Sequence, residues 1–134
     1  MILVDAGPLV ALVDADDQYH ASCVEALKEI REPLSTVWPA FTEAMYLLDD
    51  LPAAQEALWE MLTREVVRML PLTIKDFPRI RELMRKYADQ PMDLADAALV
   101  HAAERENTRR IFTTDKKDFA IYRLHGRVRF TVIP

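Results

Sequence analysis

The chain is poor in cysteine, in glycine and in long apolar runs, and each scarcity excludes a class of protein. The single cysteine, Cys23, excludes an intramolecular disulfide, and with three scattered histidines it gives no zinc-ligand spacing. Two glycines in 134 residues exclude a fibrous or low-complexity chain. No run reaches the roughly 18 apolar residues of a membrane span, and the N-terminus lacks a basic segment. We therefore expect a cytoplasmic protein with neither a membrane span nor an export signal.

Apolar residues make up 51% of the chain and charged residues 29%, which predicts one globular domain over residues 1–134. The charge is uneven. Through Thr63 there are two basic and twelve acidic residues, a net charge of −10, whereas from Arg64 onward fifteen basic and ten acidic residues give +5. The basic half could face phosphates, or it could form ordinary solvated helix faces.

Hydrophobic periodicity predicts strands that alternate with helices. The predicted strands cover residues 2–5, 34–37, 66–70, 110–114 and 129–133. The predicted helices begin at Pro8, run from a cap at Asp16 or Asp17 to Arg31, begin again at Pro39, and then cover residues 53–64, 75–88, 94–106 and 119–122. Because the strand interiors are nearly all apolar, the pattern indicates an α/β protein whose parallel sheet is covered on both faces.

Acidic residues recur where this sheet would present its carboxyl edge, which is where such folds bind ligands. Asp5 ends the first strand and Asp115 follows the fourth. Glu43 lies early in the helix after the second strand, and Asp96 lies in the first turn of the helix before the fourth. Three of them have ordinary alternatives. Glu43 could be a dipole-favoured surface glutamate, Asp115 a turn former, and Asp96 the partner of an N-cap at Asp93.

Four carboxylates gathered at one edge would repel one another and raise each other's pKa unless a cation neutralised them. Oxygen-only ligands favour Mg²⁺ or Mn²⁺ over zinc or copper. Sites of this kind are typical of phosphoryl chemistry, in which no nucleophilic side chain is required. The chain has no GxSxG elbow, Cys–His pair or glycine-rich phosphate loop that would support another hydrolytic or nucleotide-binding reading.

Four segments, "ILVDAGPLVAL", "WPAFTEAMYLL", "PMDLADAALVHAAE" and "IFTTDKKDF", resemble the successive motifs of PIN-domain proteins, in particular the VapC-like toxin ribonucleases of type II toxin–antitoxin pairs. The resemblance spans nearly the whole chain. It implies a three-layer α/β/α sandwich around a short parallel sheet, a Mg²⁺-dependent endoribonuclease activity in which Mn²⁺ could substitute, and a cognate antitoxin as partner.

Carried over motif by motif, the resemblance assigns catalytic and metal-binding roles to Asp5, Glu43, Asp96 and Asp115. Asp93 and Asp118 are less certain additions to the metal site. By this hypothesis Asp5 and Asp96 hold one Mg²⁺, while the other two acids complete its shell or position water. Hydrolysis of RNA would then leave a 5′-phosphate and a 3′-hydroxyl, and single-stranded or looped RNA is the expected substrate.

The chain departs from this family at Gly7, where relatives often have a hydroxyl residue two positions after the first aspartate. Thr113 or Thr114 could supply a comparable hydroxyl beside the fourth acid, although threonine is also a common strand residue. Lys116 and Lys117, next to that acid in sequence, could hold flanking phosphates, or they could be ordinary surface lysines.

The helices over residues 39–63 carry more apolar side chains than one buried face needs. A homodimer or an antitoxin segment could cover the excess, or the two helices could simply pack on each other.

Two other functions fit parts of the pattern. A catalytically silent module with this fold could bind RNA or a protein. A receiver-type phosphoacceptor domain would also collect aspartates at strand ends, but it would usually place its acceptor aspartate after the third strand, where this chain has Leu70-Pro71-Leu72.

Overall fold

The computed structural model describes residues 1–90 and 92–134. In these residues the strands are β1 (Ile2–Val4), β2 (Leu34–Thr36), β3 (Val67–Met69), β4 (Arg110–Phe112), β5 (Arg123–Leu124), β6 (Val128–Arg129) and β7 (Thr131–Ile133). The α-helices are α1 (Ala6–Val13), α2 (His20–Glu29), α3 (Trp38–Leu47), α4 (Pro52–Thr63), α5 (Phe77–Lys86), α6 (Leu94–Arg105) and α7 (Lys116–Ile121), with a 3₁₀ turn at Ile74–Asp76 before α5. None of these helices is long and apolar enough to cross a membrane.

The main sheet has the strand order β3-β2-β1-β4-β7, and every neighbouring pair is parallel. The central strand, β1, pairs through Leu3 with Ser35 on one side and with Ile111 on the other. From β1 the chain builds outward through β2 and β3 and then returns to β4 on the opposite side. The strand order therefore reverses between β1 and β4, the position at which open parallel sheets form a ligand-binding crevice.

The two faces of the sheet are buried in separate hydrophobic clusters, because side chains of a strand alternate between its faces. Leu3 belongs to the cluster formed with α5, α6 and α7. Ile2 and Val4 belong to the cluster formed with α1, α3 and α4. The predicted α/β/α sandwich around a short parallel sheet is confirmed.

The start of α2 differs from the prediction. Its N-cap is Tyr19, which makes no side-chain capping bond, so the expected cap at Asp16 or Asp17 is wrong. The Asp17 carboxylate instead accepts a hydrogen bond of 2.8 Å from the Tyr19 amide, and Asp14 accepts one of 3.0 Å from the Asp16 amide. Short acidic side chains can form turns as readily as caps, and here they hold the turn that precedes the helix.

The C-terminal region also differs in detail. The predicted strand over residues 129–133 joins two elements: β6 pairs antiparallel with β5 in a hairpin, whereas β7 pairs parallel with β4. His125 and Gly126 turn this hairpin with φ angles of 52° and 75°. The predicted helix at 119–122 begins earlier, at Lys116, because Asp115 caps it.

Candidate active site

Asp5 follows β1 directly and caps α1. The Ala6 amide donates to its Oδ1 at 2.8 Å, and the Thr113 hydroxyl donates to its Oδ2 at 2.8 Å. Asp5 is only 7% exposed, and burial raises its pKa, with a smaller contribution from the negative charges of Asp93 and Asp115; the two hydrogen bonds oppose this rise.

Asp96 lies in the first turn of α6, and Asp93 caps that helix by accepting a 2.8 Å bond from the Asp96 amide. The carboxylate of Asp96 does not complete a reciprocal cap. It accepts a hydrogen bond of 2.8 Å from the hydroxyl of Tyr122 instead. Burial raises the pKa of Asp96 to about 8, although the bond from Tyr122 lowers it and three neighbouring aspartates raise it further.

Asp115 begins α7 at the end of the segment that follows β4. Its carboxylate accepts a 3.2 Å bond from the Asp118 amide, and its own amide donates to the Thr113 hydroxyl at 3.0 Å. The hydroxyl of Thr113 therefore links the acids after β1 and β4. The pKa of Asp118 is raised by burial and then by its contact with Asp115.

Glu43 reaches the same place from the middle of α3. It is half-buried, and its carboxylate has no hydrogen-bond partner among the residues that the structure describes. Burial raises its pKa, and the charges of Asp93, Asp5 and Asp115 add to the rise. The repulsion indicates that this side chain shares the electrostatic environment of the other acids.

These acids line one cavity of about 250 Å³ between the carboxyl ends of β1 and β4. The cavity brings together all six acids considered in the sequence: Asp5, Glu43, Asp93, Asp96, Asp115 and Asp118. The remaining described residues that line it are Ala6, Gly7, Leu47 and Thr114. No described basic side chain lines it. Lys116 and Lys117 are exposed and lie outside the lining.

The donor set suits a hard divalent cation, because it consists of carboxylate oxygens. The positions of the side chains do not form a finished coordination site: over residues 1–90 and 92–134, no group of three or more His, Cys, Asp or Glu side chains is arranged to hold a metal ion. The cavity thus has donors that suit a divalent cation but no preformed set of ligands among the described residues.

Sequence reasoning missed Tyr122. This tyrosine is fully buried, and its ring packs edge-on against Phe119 and Tyr87. Its hydroxyl reaches Asp96 because Tyr122 lies between the end of α7 and β5, and β5 packs against α6. The available signal was general: a tyrosine amid apolar residues needs a hydrogen-bond partner when it is buried, but the sequence does not say which.

The family model of the PIN domain matches residues 2–124 of the chain. The protein belongs to the PIN domain family. It is 30% identical, over 99% of its length and 100% of the relative's, to Ribonuclease VapC26 of Mycobacterium tuberculosis.

Solved structures share the fold at lower sequence identity. The crystal structure of Mycobacterium tuberculosis VapC20, described as a sarcin-ricin loop cleaving toxin, superposes with a TM-score of 0.82 and 18% identity over 90% of this chain and 95% of that one. A toxin-antitoxin complex from Klebsiella pneumoniae superposes with a TM-score of 0.68 and 18% identity, over 90% and 91% of the two chains. These likenesses establish the α/β/α arrangement.

Proposed function

We propose that the protein is a Mg²⁺-dependent endoribonuclease and the toxin of a toxin–antitoxin pair. The observation that carries the proposal is the convergence of six carboxylates, with no described basic side chain, in one cavity at the switch point of the sheet. Membership of the PIN family and a relative named as a ribonuclease support the same activity.

Asp5, Glu43, Asp96 and Asp115 are the residues we propose to hold the metal and to act in catalysis, with Asp93 contributing at the rim. A bound Mg²⁺ or Mn²⁺ supplies charge that offsets the phosphate, and it lowers the pKa of bound water. The chain itself orients these acids: Thr113 fixes Asp5. In the same way, Tyr122 fixes Asp96.

The cavity also supports a polymeric substrate. Its volume of about 250 Å³ is smaller than the roughly 300–1,000 Å³ of typical small-ligand pockets. A single-stranded or looped RNA can place one phosphate among the acids while the rest of the strand stays outside the cavity. We expect the protein to act in the cytoplasm, where such RNA is found.

The decisive experiment compares four samples: the parent protein with Mg²⁺, the parent with EDTA, Asp5→Asn with Mg²⁺, and Asp50→Asn with Mg²⁺. Asp50 is an exposed acid outside the cavity, so its variant controls for the loss of one negative charge. We expect the parent and Asp50→Asn to cut structured RNA with single-stranded loops. EDTA should stop cleavage, and Asp5→Asn should lower its rate about a hundredfold or more.

Cleavage at the parent rate by Asp5→Asn, with an unchanged melting temperature, would contradict the proposed site. Failure of the parent to cut any RNA would contradict the proposed activity and favour the catalytically silent module. The receiver-type interpretation has no support, because the chain belongs to the PIN family.

We further propose that the protein forms a homodimer through the apolar surface of α3 and α4, and that it pairs with a cognate antitoxin. The predicted excess of apolar side chains is visible there in a set of exposed residues: Trp38, Tyr46, Leu47, Leu51 and Trp59. An apolar groove of about 610 Å³ that includes Pro39, Phe77 and Leu94 continues from this surface toward α5.

Light scattering after gel filtration tests the homodimer. We expect twice the 15.4 kDa chain mass for the parent and the monomer mass for Tyr46→Glu, whose side chain is 73% exposed in one chain. Co-purification with the product of the neighbouring reading frame tests the antitoxin. A monomeric parent would contradict the homodimer.

A further inference from the structure

Gly7 and Thr114 approach each other across the wall of the acid cavity. A Cβ atom built on Gly7 would lie 2.2 Å from the Thr114 hydroxyl oxygen and 3.4 Å from the Thr114 Cβ. The first distance is far too short for a real carbon atom, whereas the second is ordinary contact. The hydroxyl of Thr114 therefore occupies the volume that any side chain at position 7 would need.

The close approach explains why glycine is found in the first turn of α1. Glycine in a helix costs roughly 1 kcal/mol relative to alanine, so a helix of eight residues gains nothing from it on backbone grounds. Gly7 instead leaves space for the Thr114 hydroxyl at the edge of the cavity.

The two neighbouring threonines are used differently. The Thr113 hydroxyl is fully buried and engaged, since it donates to Asp5 and accepts from the Asp115 amide. Thr114 is only partly buried and lines the cavity, and its hydroxyl has no hydrogen-bond partner among residues 1–90 and 92–134. Its donor is free for a ligand.

Thr114 is also chemically distinct within the cavity. Ionised carboxylates only accept hydrogen bonds, and the side chains of Ala6 and Leu47 offer none. Of the described residues that line the cavity, Thr114 alone carries a side-chain donor independent of pH. A phosphate oxygen entering among acidic groups is repelled by them and gains most from such a donor.

We propose that the Thr114 hydroxyl donates a hydrogen bond to a non-bridging phosphate oxygen of the RNA strand, and that Gly7 is required to leave space for it. This inference rests on the proposed ribonuclease function. It makes Thr114 a substrate-binding residue of that site.

The first test compares Thr114→Val, which keeps the shape and loses the donor, with Thr114→Ser, which keeps the donor. Under single-turnover conditions with Mg²⁺, we expect Thr114→Val to cut a single-stranded RNA oligonucleotide about tenfold more slowly than the parent. Thr114→Ser should stay within about threefold, and both variants should melt at the parent temperature.

Binding provides a readout independent of cleavage. In an Asp96→Asn background, fluorescence anisotropy of the labelled oligonucleotide should show about tenfold weaker binding when Thr114→Val is added, and no change when Thr114→Ser is added. Equal cleavage and equal binding by the Val and Ser variants would overturn the role of Thr114 while leaving the ribonuclease proposal intact. A parent protein that neither binds nor cuts RNA would overturn both.

The packing between Gly7 and Thr114 is tested by a double-mutant cycle on melting temperature, which needs no activity. Gly7→Ala should lower the melting temperature of the parent, because its methyl group collides with the Thr114 hydroxyl. In a Thr114→Ala background the same change should be neutral or stabilising. If Gly7→Ala behaves alike in both backgrounds, the hydroxyl does not occupy the space we assign to it and the proposal fails.

Discussion

Two groups of buried carboxylates lie at opposite ends of α6 and behave in opposite ways. Asp76 and Asp96 are almost equally buried, at 7% and 8% exposed. The pKa of Asp76 is lowered to about 2, whereas that of Asp96 is raised to about 8. Glu104 follows Asp76 in having a lowered pKa, and Asp5 follows Asp96 in having a raised one.

The difference has two causes: hydrogen bonds and the nearby Arg105 guanidinium lower the pKa of Asp76, whereas desolvation is the largest cause of the raised pKa of Asp96. Asp76 lies 2.7 Å from the His101 Nε2 and 3.3 Å from Arg105, and it also accepts a 2.7 Å bond from the Thr73 amide. Glu104 is held by two bonds of 2.8 and 2.9 Å from Arg79.

In the cavity, Asp5 and Asp96 accept hydrogen bonds from hydroxyl groups, but none of the six acids has a cation partner among the described residues. A buried acid that is paired within the chain stabilises the fold, while a group of unpaired acids opposes folding and favours binding of an external cation. We therefore propose that stability and function depend on different carboxylates of one small domain.

The largest expected effect is on the rate of RNA cleavage, which should depend on the acids of the cavity and not on the paired acids. Asp96→Asn should lower the rate of Mg²⁺-dependent RNA cleavage about a thousandfold, because it removes a proposed metal ligand. Asp76→Asn should cut at the parent rate when both proteins are folded, as judged by circular dichroism at the assay temperature. If the two variants lose cleavage activity equally, the proposed difference between the cavity acids and the paired acids is wrong.

For the free energy of unfolding we expect the opposite order, with the larger loss in Asp76→Asn. Asp76→Asn should lower the free energy of unfolding at pH 7 by about 2 kcal/mol, since it weakens charge-assisted bonds to His101 and Arg105. Because the folded pKa of Asp76 is about 2 and its ordinary value 3.8, this contribution is complete above pH 4 and declines as the pH falls toward 2. Urea titrations of parent and variant at pH 7 and pH 3 measure it, with Asp50→Asn as the control.

A smaller effect concerns pH in the absence of metal. The folded pKa of Asp96 is raised from 3.8 to about 8, so folding binds a proton in this window and the contribution of Asp96 to stability declines as the pH rises through it. In EDTA, the melting temperature of Asp96→Asn relative to the parent should therefore be higher at pH 8.5 than at pH 5. If the difference in melting temperature between the variant and the parent does not change with pH, the pKa of Asp96 is not raised.

The smallest expected effect is that of the hydroxyl that holds Asp96. Tyr122→Phe should raise the pKa of Asp96 further, because the hydrogen bond from Tyr122 lowers it. We expect a loss of about fivefold in cleavage rate at pH 7, with the acidic limb of the pH–rate profile displaced to higher pH. Tyr19→Phe, at a 42% exposed tyrosine, is the matched control. An unchanged profile would mean that Tyr122 only fills space.

Much of this architecture could be predicted because it depends on local patterns in the sequence. The order of strands and helices follows from hydrophobic periodicity, and Asp93 was correctly expected as an N-cap. The cap of α2 was predicted wrongly because Asp14 and Asp17 bond to amides of the preceding turn, a choice that depends on how the chain enters the helix. The hairpin of β5 and β6 was missed because its two strands have two residues each, too few to show a period.

The sequence by itself determined which groups are available: apolar strands for a covered parallel sheet, acids at strand and helix ends, and one glycine in the first turn of α1. Only the tertiary structure decided which of these groups meet. The reversal of strand order places the end of β1 beside the end of β4, so that Asp5 and Thr113 touch although 108 positions separate them. Tertiary packing also places basic side chains near Asp76, whereas no described basic side chain lines the cavity that contains Asp96. The pKa of a carboxylate depends on such distances in space, which a local sequence pattern does not give.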